Sequence, residues 1–219
     1  MVKFVFDCYN FDGADKVLEA RRIYLLRHGK LELKDNLRRY IGQLDVPLNE
    51  EGISKARDFC RKLKNVDYSA VYCSDLTRSR QTAEIIAASP EIAVIIDERL
   101  REIHFGKWEG KTVAEVAQKC PRSYSEWGSD LSYYRVPGGE SYADCSRRVV
   151  AAFQDILSKS TGNILISGHI DVNRLILCHV LGLPIKNLFR ISQRHGCINI
   201  ILSTNNDFRV ELINSINGR

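Results

Sequence analysis

The sequence predicts an α/β protein, a three-layer α/β/α sandwich around a mostly parallel sheet with an antiparallel edge. Three observations support this fold class. Short apolar runs alternate with helical patterns along the chain, which is typical of parallel strands joined by crossover helices. The last two apolar runs are instead separated by a short polar turn, which predicts a hairpin. No repeat, low-complexity segment or linker divides the 219 residues, a length that one domain accommodates.

The first half of the chain is expected to hold three strands and two helices. The side chain of Asn49 can accept hydrogen bonds from the first N–H groups of a helix, and acidic residues follow it, so a helix is expected to begin at Glu50. Ser74 or Asp75 is expected to cap the second helix, and Pro90 to close it. The predicted strands are residues 23–26, 69–73 and 92–96, and the helices run over residues 50–64 and from the second cap to residue 88.

The second half is expected to add three helices, one more parallel strand and a closing hairpin. Apolar residues recur on one face of residues 141–158, which predicts a long amphipathic helix. Pro137-Gly138-Gly139 predicts a break before this helix, and Asn205-Asn206-Asp207 predicts the hairpin turn. The predicted helices are residues 112–119, 141–158 and 172–181, and the predicted strands are residues 163–167, 198–202 and 208–212.

We assign residues 21–219 to one domain with a small helical cap around residues 104–140, and residues 1–20 to an N-terminal extension. The start lacks the apolar core of a signal peptide, because the run Val2-Lys3-Phe4-Val5-Phe6 is short and acidic residues follow it. No apolar run approaches the roughly 20 residues of a membrane span. The sequence therefore predicts no association with a membrane.

Composition favours a cytoplasmic protein that binds an anion. Seven cysteines are scattered without a Cys-x-x-Cys pair, which argues against a disulfide framework or a zinc site and favours reduced thiols. The formal net charge of +5 suits an anionic ligand. Nucleic-acid binding is not expected, because the cations of residues 21–39 are interleaved with acids such as Glu32 and Asp35.

Groups suited to phosphate chemistry fall at the carboxyl ends of the predicted strands, where ligands collect in open α/β sheets. Arg27 and His28 follow the first strand, and Arg78 lies in the first turn of the next helix, where free N–H groups also favour anions. Glu102 follows the third strand and His169 the fourth. Arginine offers phosphate a planar fork of donors, an imidazole can act as a nucleophile, and a carboxyl group can act as a general acid. The pattern predicts a site for phosphoryl transfer.

The other histidines are interpreted in two ways. His104 is two residues from Glu102 and is a candidate pocket-lining residue. His179 lies within a helical pattern and His195 in a polar loop, so both are expected to be structural.

Four motifs occur in an order that is typical of one family. They are Leu25-Leu26-Arg27-His28-Gly29, residues 74–83 around Arg78, residues 100–110 around Glu102, and Ser167-Gly168-His169. From about Arg22 to Leu212, the chain resembles the histidine phosphatase superfamily. That family contains the cofactor-dependent phosphoglycerate mutases and many small phosphatases.

The resemblance implies a phosphoglycerate mutase-like fold and a mechanism that needs no metal or cofactor. His28 would attack a phosphomonoester and form a phosphohistidine that water hydrolyses. Arg27, Arg78 and His169 would hold the phosphate oxygens, and Glu102 would protonate the leaving group. The substrate-binding residues implied are Arg27, Gly42, Gln43, Arg78, His104 and His169. The partner implied is a small phosphorylated metabolite, bound by a monomer or a homodimer.

Within the family, the phosphatase branch fits best. Residues 42–48 and 137–141 resemble α-ribazole phosphatases and their broad-specificity relatives, and the chain is short for a mutase. A cofactor-dependent phosphoglycerate mutase is the first alternative, and a non-catalytic module that binds a phosphorylated ligand is the second. Four residues depart from the family's usual pattern and leave the substrate open: Lys30, Lys34, Ile41 and Ile170.

Overall fold

Six strands form one sheet in the computed structural model, which describes residues 20–87, 92–205 and 207–216. In chain order they are β1 (Arg21–Arg27), β2 (Tyr68–Cys73), β3 (Ala93–Ile96), β4 (Asn163–Gly168), β5 (Ile198–Thr204) and β6 (Asp207–Ser215). Their order in the sheet is β3-β2-β4-β1-β5-β6. The first four of these are parallel, whereas β5 runs antiparallel to β1 and β6 antiparallel to β5. The mostly parallel sheet with an antiparallel edge is confirmed.

Helices cover both faces of this sheet. Ile23 and Leu25 of β1 belong to a core shared with α5 and α6, whereas Tyr24 and Leu26 belong to a core shared with α1 and α2. Because successive residues of a strand point to opposite faces, this alternation produces the three predicted layers. The helices are α1 (Glu50–Leu63), α2 (Thr77–Ala87), α3 (Val113–Lys119), α4 (Pro121–Ser129), α5 (Tyr142–Lys159) and α6 (Ile170–Val180), with 3₁₀ helices at Glu98–Leu100, Gly106–Trp108 and Ile185–Arg190.

Side-chain caps set three of the helix starts. Asn49 accepts from the backbone N–H of Gly52, as the sequence predicts for α1. Thr112 begins α3 with a capping box, and Ser141 begins α5 with another. Each cap satisfies N–H groups that the first helical turn leaves unpaired.

α3 and α5 begin one residue later than expected, because Thr112 and Ser141 are their caps. Two other helix starts differ for other reasons. The second helix begins at Thr77 rather than directly after Ser74 or Asp75, because the side chain of Asp75 binds Arg101 instead of capping. The last helix begins at Ile170, two residues early, since its N-cap is His169.

α4 was not predicted at all. It is short, begins at the Cys120-Pro121 step and contains no fully buried residue, and its single pair of large apolar side chains, Tyr124 and Trp127, is too short a pattern to mark a helix in sequence. Residues 1–19, the predicted end of the second helix at 88–90, and Asn206 of the hairpin turn lie outside the described residues. No helix in the described part of the chain is both long and apolar enough to cross a bilayer.

Candidate active site

The carboxyl ends of β1 and β4 lie side by side. The strands pair in parallel with Arg27 opposite Gly168, and the backbone N–H of His28 donates to the Gly168 carbonyl at 3.2 Å. The next residue on each chain segment is a histidine, and the ring centroids of His28 and His169 are 5.3 Å apart. Strand pairing therefore brings the two predicted histidines to one point.

His28 is held as a neutral ring with one nitrogen left free. Its Nδ1 lies 2.8 Å from the Gly29 carbonyl oxygen, and because a carbonyl oxygen only accepts, the proton is on Nδ1. Burial, followed by the nearby His169, Arg78 and Arg27, lowers the pKa of His28 well below its ordinary value. Nε2 therefore carries an unshared electron pair, which is the form that a nucleophile requires.

Gly29 lies directly against the first turn of α1. A Cβ atom on Gly29 would be 2.5 Å from the Cα of Gly52, and a Cβ on Gly52 would be 2.3 Å from the carbonyl oxygen of Lys30. The two backbone segments can approach this closely only because both positions lack a side chain. The glycine after His28 thus serves backbone packing.

Arg78 is buried, with 1% of its surface exposed, and its guanidinium reaches three acceptors. Nη1 and Nη2 donate to the carbonyls of Leu44 and Gly42 at 2.7 and 2.6 Å, and Nε donates to Nδ1 of His169 at 3.3 Å. Since Nδ1 accepts, Nε2 of His169 carries the proton that it donates to Ser74 Oγ at 2.8 Å. Burial lowers the pKa of both Arg78 and His169.

Arg27 links the end of β1 to the loop before β5. Nη1 donates to the carbonyl of Gln193 at 2.6 Å, and Nη2 donates to Nε2 of His195 at 2.8 Å. Its Nε is buried and has no hydrogen-bond partner among the described residues. Burial lowers the pKa of Arg27 to about 10, so the group stays charged at neutral pH. An unpaired buried donor on the residue before His28 is available to an anion.

Glu102 is buried against the first residues of α6. Its Oε1 accepts from the N–H of Ile103 at 3.0 Å, and its Oε2 accepts from the N–H of Asp171 at 3.3 Å. Asp171 in turn accepts from Arg174 at 2.9 Å and from the hydroxyl of Tyr142 at 3.2 Å. Burial and the negative charge of Asp171 raise the pKa of Glu102 to about 7. The carboxyl group can therefore give and take a proton near neutral pH.

The remaining predicted substrate-binding residues, Gly42, Gln43 and His104, have different positions relative to the cavity. Gly42 lines the cavity in front of His28 and has a φ of +53°, a conformation that favours glycine. Gln43 holds the backbone of Glu102, since its Nε2 donates to the carbonyl of that residue at 3.0 Å. The side chain of His104 lies beside Glu109, with Nε2 and Oε1 3.7 Å apart.

A cavity of about 780 Å³ opens onto Arg27, His28, Arg78 and Glu102, but Gln43, His104 and His169 are not part of its lining. One part of its lining is polar and holds Arg27, His28, Arg78, Glu102 and His195. Another part is apolar and holds Leu33, Leu37, Tyr124, Trp127 and Phe189. The Trp127 ring centroid lies 5.9 Å from that of Tyr124 and 6.0 Å from that of Phe189, so the three rings form one aromatic wall. Among the described residues, no group of three or more His, Cys, Asp or Glu side chains is arranged to hold a metal ion.

Three of the four departures from the family pattern also line this cavity. Ile41 and Ile170 add apolar surface to it. Lys30 lines it as well, but its ammonium group pairs with Glu51 at 2.7 Å. Lys34 is exposed.

Three polar residues of the site were missed from the sequence. His195, which was interpreted as structural, lines the cavity with its ring centroid 5.9 Å from that of His28. Asp171 and Arg174 line it too. His195 follows Arg27 by 168 residues, so no local motif connects the two. Asp171 and Arg174 lie one turn apart on α6, and this spacing was the available signal.

Known proteins similar to this chain belong to one family. The family model of the histidine phosphatase superfamily (branch 1) matches residues 23–216. The chain is 29% identical over 184 residues to the adenosylcobalamin/α-ribazole phosphatase of Escherichia coli, covering 82% of this chain and 89% of that protein. It is 32% identical over 175 residues to a Yersinia pestis protein named for phosphoglycerate mutase activity, covering 80% and 81%. The solved α-ribazole phosphatase of Shigella flexneri matches with a TM-score of 0.81 at 28% identity, covering 89% of this chain and 96% of that chain.

The matched region contains all four sequence motifs and all six strands of the described sheet except the first two residues of β1. The chain belongs to the histidine phosphatase superfamily, branch 1.

Proposed function

We propose that the protein hydrolyses phosphomonoesters of small metabolites through a phosphohistidine formed on Nε2 of His28. One observation carries this function: His28 is neutral, its proton is fixed on Nδ1 by Gly29, and the charged groups of Arg27 and Arg78 lie near its ring. A guanidinium group has five N–H bonds. Arg27 and Arg78 therefore retain donors for a phosphate after making the protein contacts described above.

In the first step, Nε2 of His28 attacks phosphorus, an N–P bond forms, and the ester P–O bond opposite to it breaks. The leaving oxygen takes the proton of Glu102, and an alcohol departs. Arg27 and Arg78 stabilise the negative charge on the non-bridging oxygens in the transition state. A phosphate dianion also favours protonation of His169. A proton on its Nδ1 would end the hydrogen bond that this nitrogen accepts from Nε of Arg78 and would make it a donor.

In the second step, water attacks the phosphorus of the phosphohistidine and gives a proton to the Glu102 carboxylate. The N–P bond breaks, and its electron pair returns to Nε2 of His28. Inorganic phosphate leaves, and the neutral histidine and the protonated acid are restored. Glu102 serves both steps because a pKa of about 7 keeps both of its forms populated near neutral pH.

The aromatic wall supports a leaving group with a planar, apolar part. Trp127, Tyr124 and Phe189 offer such a group a large contact area. α-Ribazole 5′-phosphate carries a benzimidazole ring, and the E. coli relative is named as an adenosylcobalamin/α-ribazole phosphatase. We therefore infer that α-ribazole 5′-phosphate is the first substrate to test.

The segment that supplies much of this wall is the proposed helical cap. α3 and α4 lie within residues 104–140, and Val113, Tyr124 and Trp127 reach the cavity from them. This arrangement supports a single domain over residues 21–219 whose cap contacts the leaving group.

A mutase would need free cations to hold the carboxylate of a phosphoglycerate. Arg174 is instead bound to Asp171 and to a backbone carbonyl, and Arg39 is bound to Asp35 and to a backbone carbonyl. Arg38 also lines the cavity and its side chain has no hydrogen-bond or ion-pair partner among the described residues, so the phosphoglycerate arm of the experiment below decides between hydrolysis and a mutase.

The decisive experiment compares the wild-type protein with His28→Ala on a panel of esters that includes α-ribazole 5′-phosphate, 3-phosphoglycerate with its bisphosphate primer, and sugar phosphates. Phosphate release should fall by about 10⁴-fold or more, because the nucleophile is lost. Wild-type protein quenched during turnover of a ³²P-labelled ester should carry acid-labile label that His28→Ala lacks. His179→Ala, which removes an exposed histidine from α6, is the matched control.

Three outcomes would contradict the proposal. Normal turnover by His28→Ala, or label on another residue, would remove His28 as the nucleophile. Interconversion of phosphoglycerates without phosphate release would identify a mutase. Binding without turnover across the whole panel would identify a ligand-binding module.

Two further properties stay proposals. The described cysteines that are free thiols support a reducing compartment such as the cytoplasm, which fractionation of cells would test. A monomer or a homodimer is expected, and light scattering of the purified protein would distinguish them.

A further inference from the structure

The loop before β5 is tied to the nucleophile by backbone as well as side-chain bonds. The N–H of Arg27 donates to the carbonyl of Cys197 at 2.9 Å, and the N–H of Gly196 donates to the carbonyl of His28 at 3.0 Å. The guanidinium of Arg27 adds its bonds to Gln193 and His195. Four hydrogen bonds therefore fix the position of His195 relative to His28.

The contact with Arg27 also fixes which nitrogen of His195 carries the proton. A guanidinium group can only donate, so Nε2 of His195 must accept, and in the neutral ring the proton is on Nδ1. Nδ1 has no hydrogen-bond partner among the described residues, and the ring is exposed where it lines the cavity. An N–H donor is thus directed by a rigid loop and is not used by the protein.

The Nδ1–H donor of His195 lies in the part of the cavity where the proposed function places the phosphoryl group. The ring centroids of His28 and His195 are 5.9 Å apart and both residues line the cavity, so a phosphoryl group bound to His28 would lie close to His195. The unpaired Nε of Arg27 lies on the guanidinium that binds His195. Two unused donors, one from Arg27 and one from His195, therefore flank the nucleophile.

We propose that His195 is a further catalytic residue, whose Nδ1–H donates to a non-bridging oxygen of the phosphoryl group that His28 attacks. The inference rests on the proposed function of the site and goes beyond the family's four motifs. His195 has two roles in it: Nε2 orients Arg27, and Nδ1–H stabilises charge that develops in the transition state.

Two amide substitutions separate these roles. The amide nitrogen of asparagine falls close to the Nδ1 position of a histidine, so His195→Asn retains a donor for phosphate. The amide of glutamine falls close to the Nε2 position, so His195→Gln retains an acceptor for Arg27. If Nδ1–H binds phosphate, His195→Asn should be clearly more active than His195→Gln. If His195 only orients Arg27, the order should be reversed.

The kinetic test measures kcat/KM and inhibition by orthovanadate for His195→Ala, →Asn and →Gln, with His179→Ala as the control. His195→Ala should lose about 10- to 100-fold in kcat/KM, as expected for one donor among several, and should bind vanadate more weakly by a similar factor. Asparagine should recover part of both losses. Wild-type values in His195→Ala, or full recovery by glutamine alone, would overturn the proposal.

A spectroscopic test does not depend on turnover. In ¹⁵N-histidine-labelled protein, saturation with orthovanadate should shift the Nδ1–H proton of His195 downfield and slow its exchange with water. An unchanged signal at saturation would overturn the role of His195. If these results hold for His195 but no ester is hydrolysed, the proposed function fails while the phosphate contact stands.

Discussion

The two ends of the cavity are built in different ways. The phosphate-binding end uses side chains at the ends of parallel strands, and these are buried: His28 is 4% exposed and Arg78 is 1% exposed. The leaving-group end uses a loop, the short helix α4 and a 3₁₀ helix, and its apolar residues face solvent: Leu37 is 58% exposed and Phe189 is 44% exposed.

This difference indicates how the chemistry and the substrate preference can vary separately. Each buried donor also holds the protein together, as when Arg78 binds the carbonyls of Gly42 and Leu44. A change there alters the site for every substrate. The side chains of the aromatic wall make few hydrogen bonds to the rest of the protein. A substitution there should therefore change the kinetics only of esters whose leaving group reaches the wall.

The largest effect is expected from Arg78→Met, which removes a cation that faces the phosphate. We expect kcat/KM to fall by about 10³-fold or more for every ester, because transition-state charge loses a direct partner. Steady-state kinetics on one aromatic and one aliphatic ester provide the measurement. The matched control is Arg80→Met on the same helix, an exposed residue whose pair with Glu84 is on the surface. A loss confined to one ester would contradict the separation of the two ends.

A smaller and selective effect is expected from Trp127→Ala. Removing the central ring of the aromatic wall should raise KM for an ester with a planar apolar leaving group by about tenfold, equivalent to about 1.4 kcal/mol of lost contact. KM for glycerol 2-phosphate should stay nearly constant, since that leaving group is too small to reach the wall. Equal changes for both esters would show that Trp127 supports the fold rather than the substrate.

The smallest effect is expected from Asp171→Asn and depends on pH. The negative charge of Asp171 helps to raise the pKa of Glu102 to about 7, so its removal should lower that pKa. Because the first step needs the protonated acid, kcat/KM falls as pH rises through the pKa of Glu102. In the variant this fall should begin at lower pH, with a loss of about threefold at pH 8 for an alkyl ester.

The matched measurement for Asp171→Asn uses p-nitrophenyl phosphate. Its leaving group departs without a proton, so its pH profile should change little at high pH. An unmoved profile for the alkyl ester would mean that Asp171 does not act on Glu102. Asp155→Asn, which alters an exposed carboxylate paired with Arg99, controls for the loss of charge alone.

The sequence predicted the elements whose evidence lies within a few neighbouring residues. The apolar runs predict β1, β2 and β4, and Asn49 predicts the start of α1. Arg27 and His28 were predicted as site residues because they directly follow the first of these strands. The start of α2 could not be located from composition, because Ser74 binds His169 and Asp75 binds Arg101. Both partners are far away in the chain.

The outer end of the cavity was less predictable for physical reasons. α4 buries none of its residues fully, and its apolar face consists of Tyr124 and Trp127 alone, which is too short a pattern to predict a helix. His195 lies in a polar loop whose position is set by hydrogen bonds to Arg27 and His28. Only the pairing of β1 with β5 brings that loop to the nucleophile.

The contact between Gly29 and Gly52 has a consequence for the regiochemistry of phosphorylation. The carbonyl of Gly29 is the acceptor that keeps the proton of His28 on Nδ1. A single methyl group on Gly29 would meet the Cα of Gly52 at 2.5 Å and force the backbone away, and the carbonyl would move with it. The ring could then exchange tautomers, and its reactive electron pair would no longer be confined to Nε2. The choice of reacting nitrogen thus depends on α1, a helix whose own side chains stay outside the cavity lining.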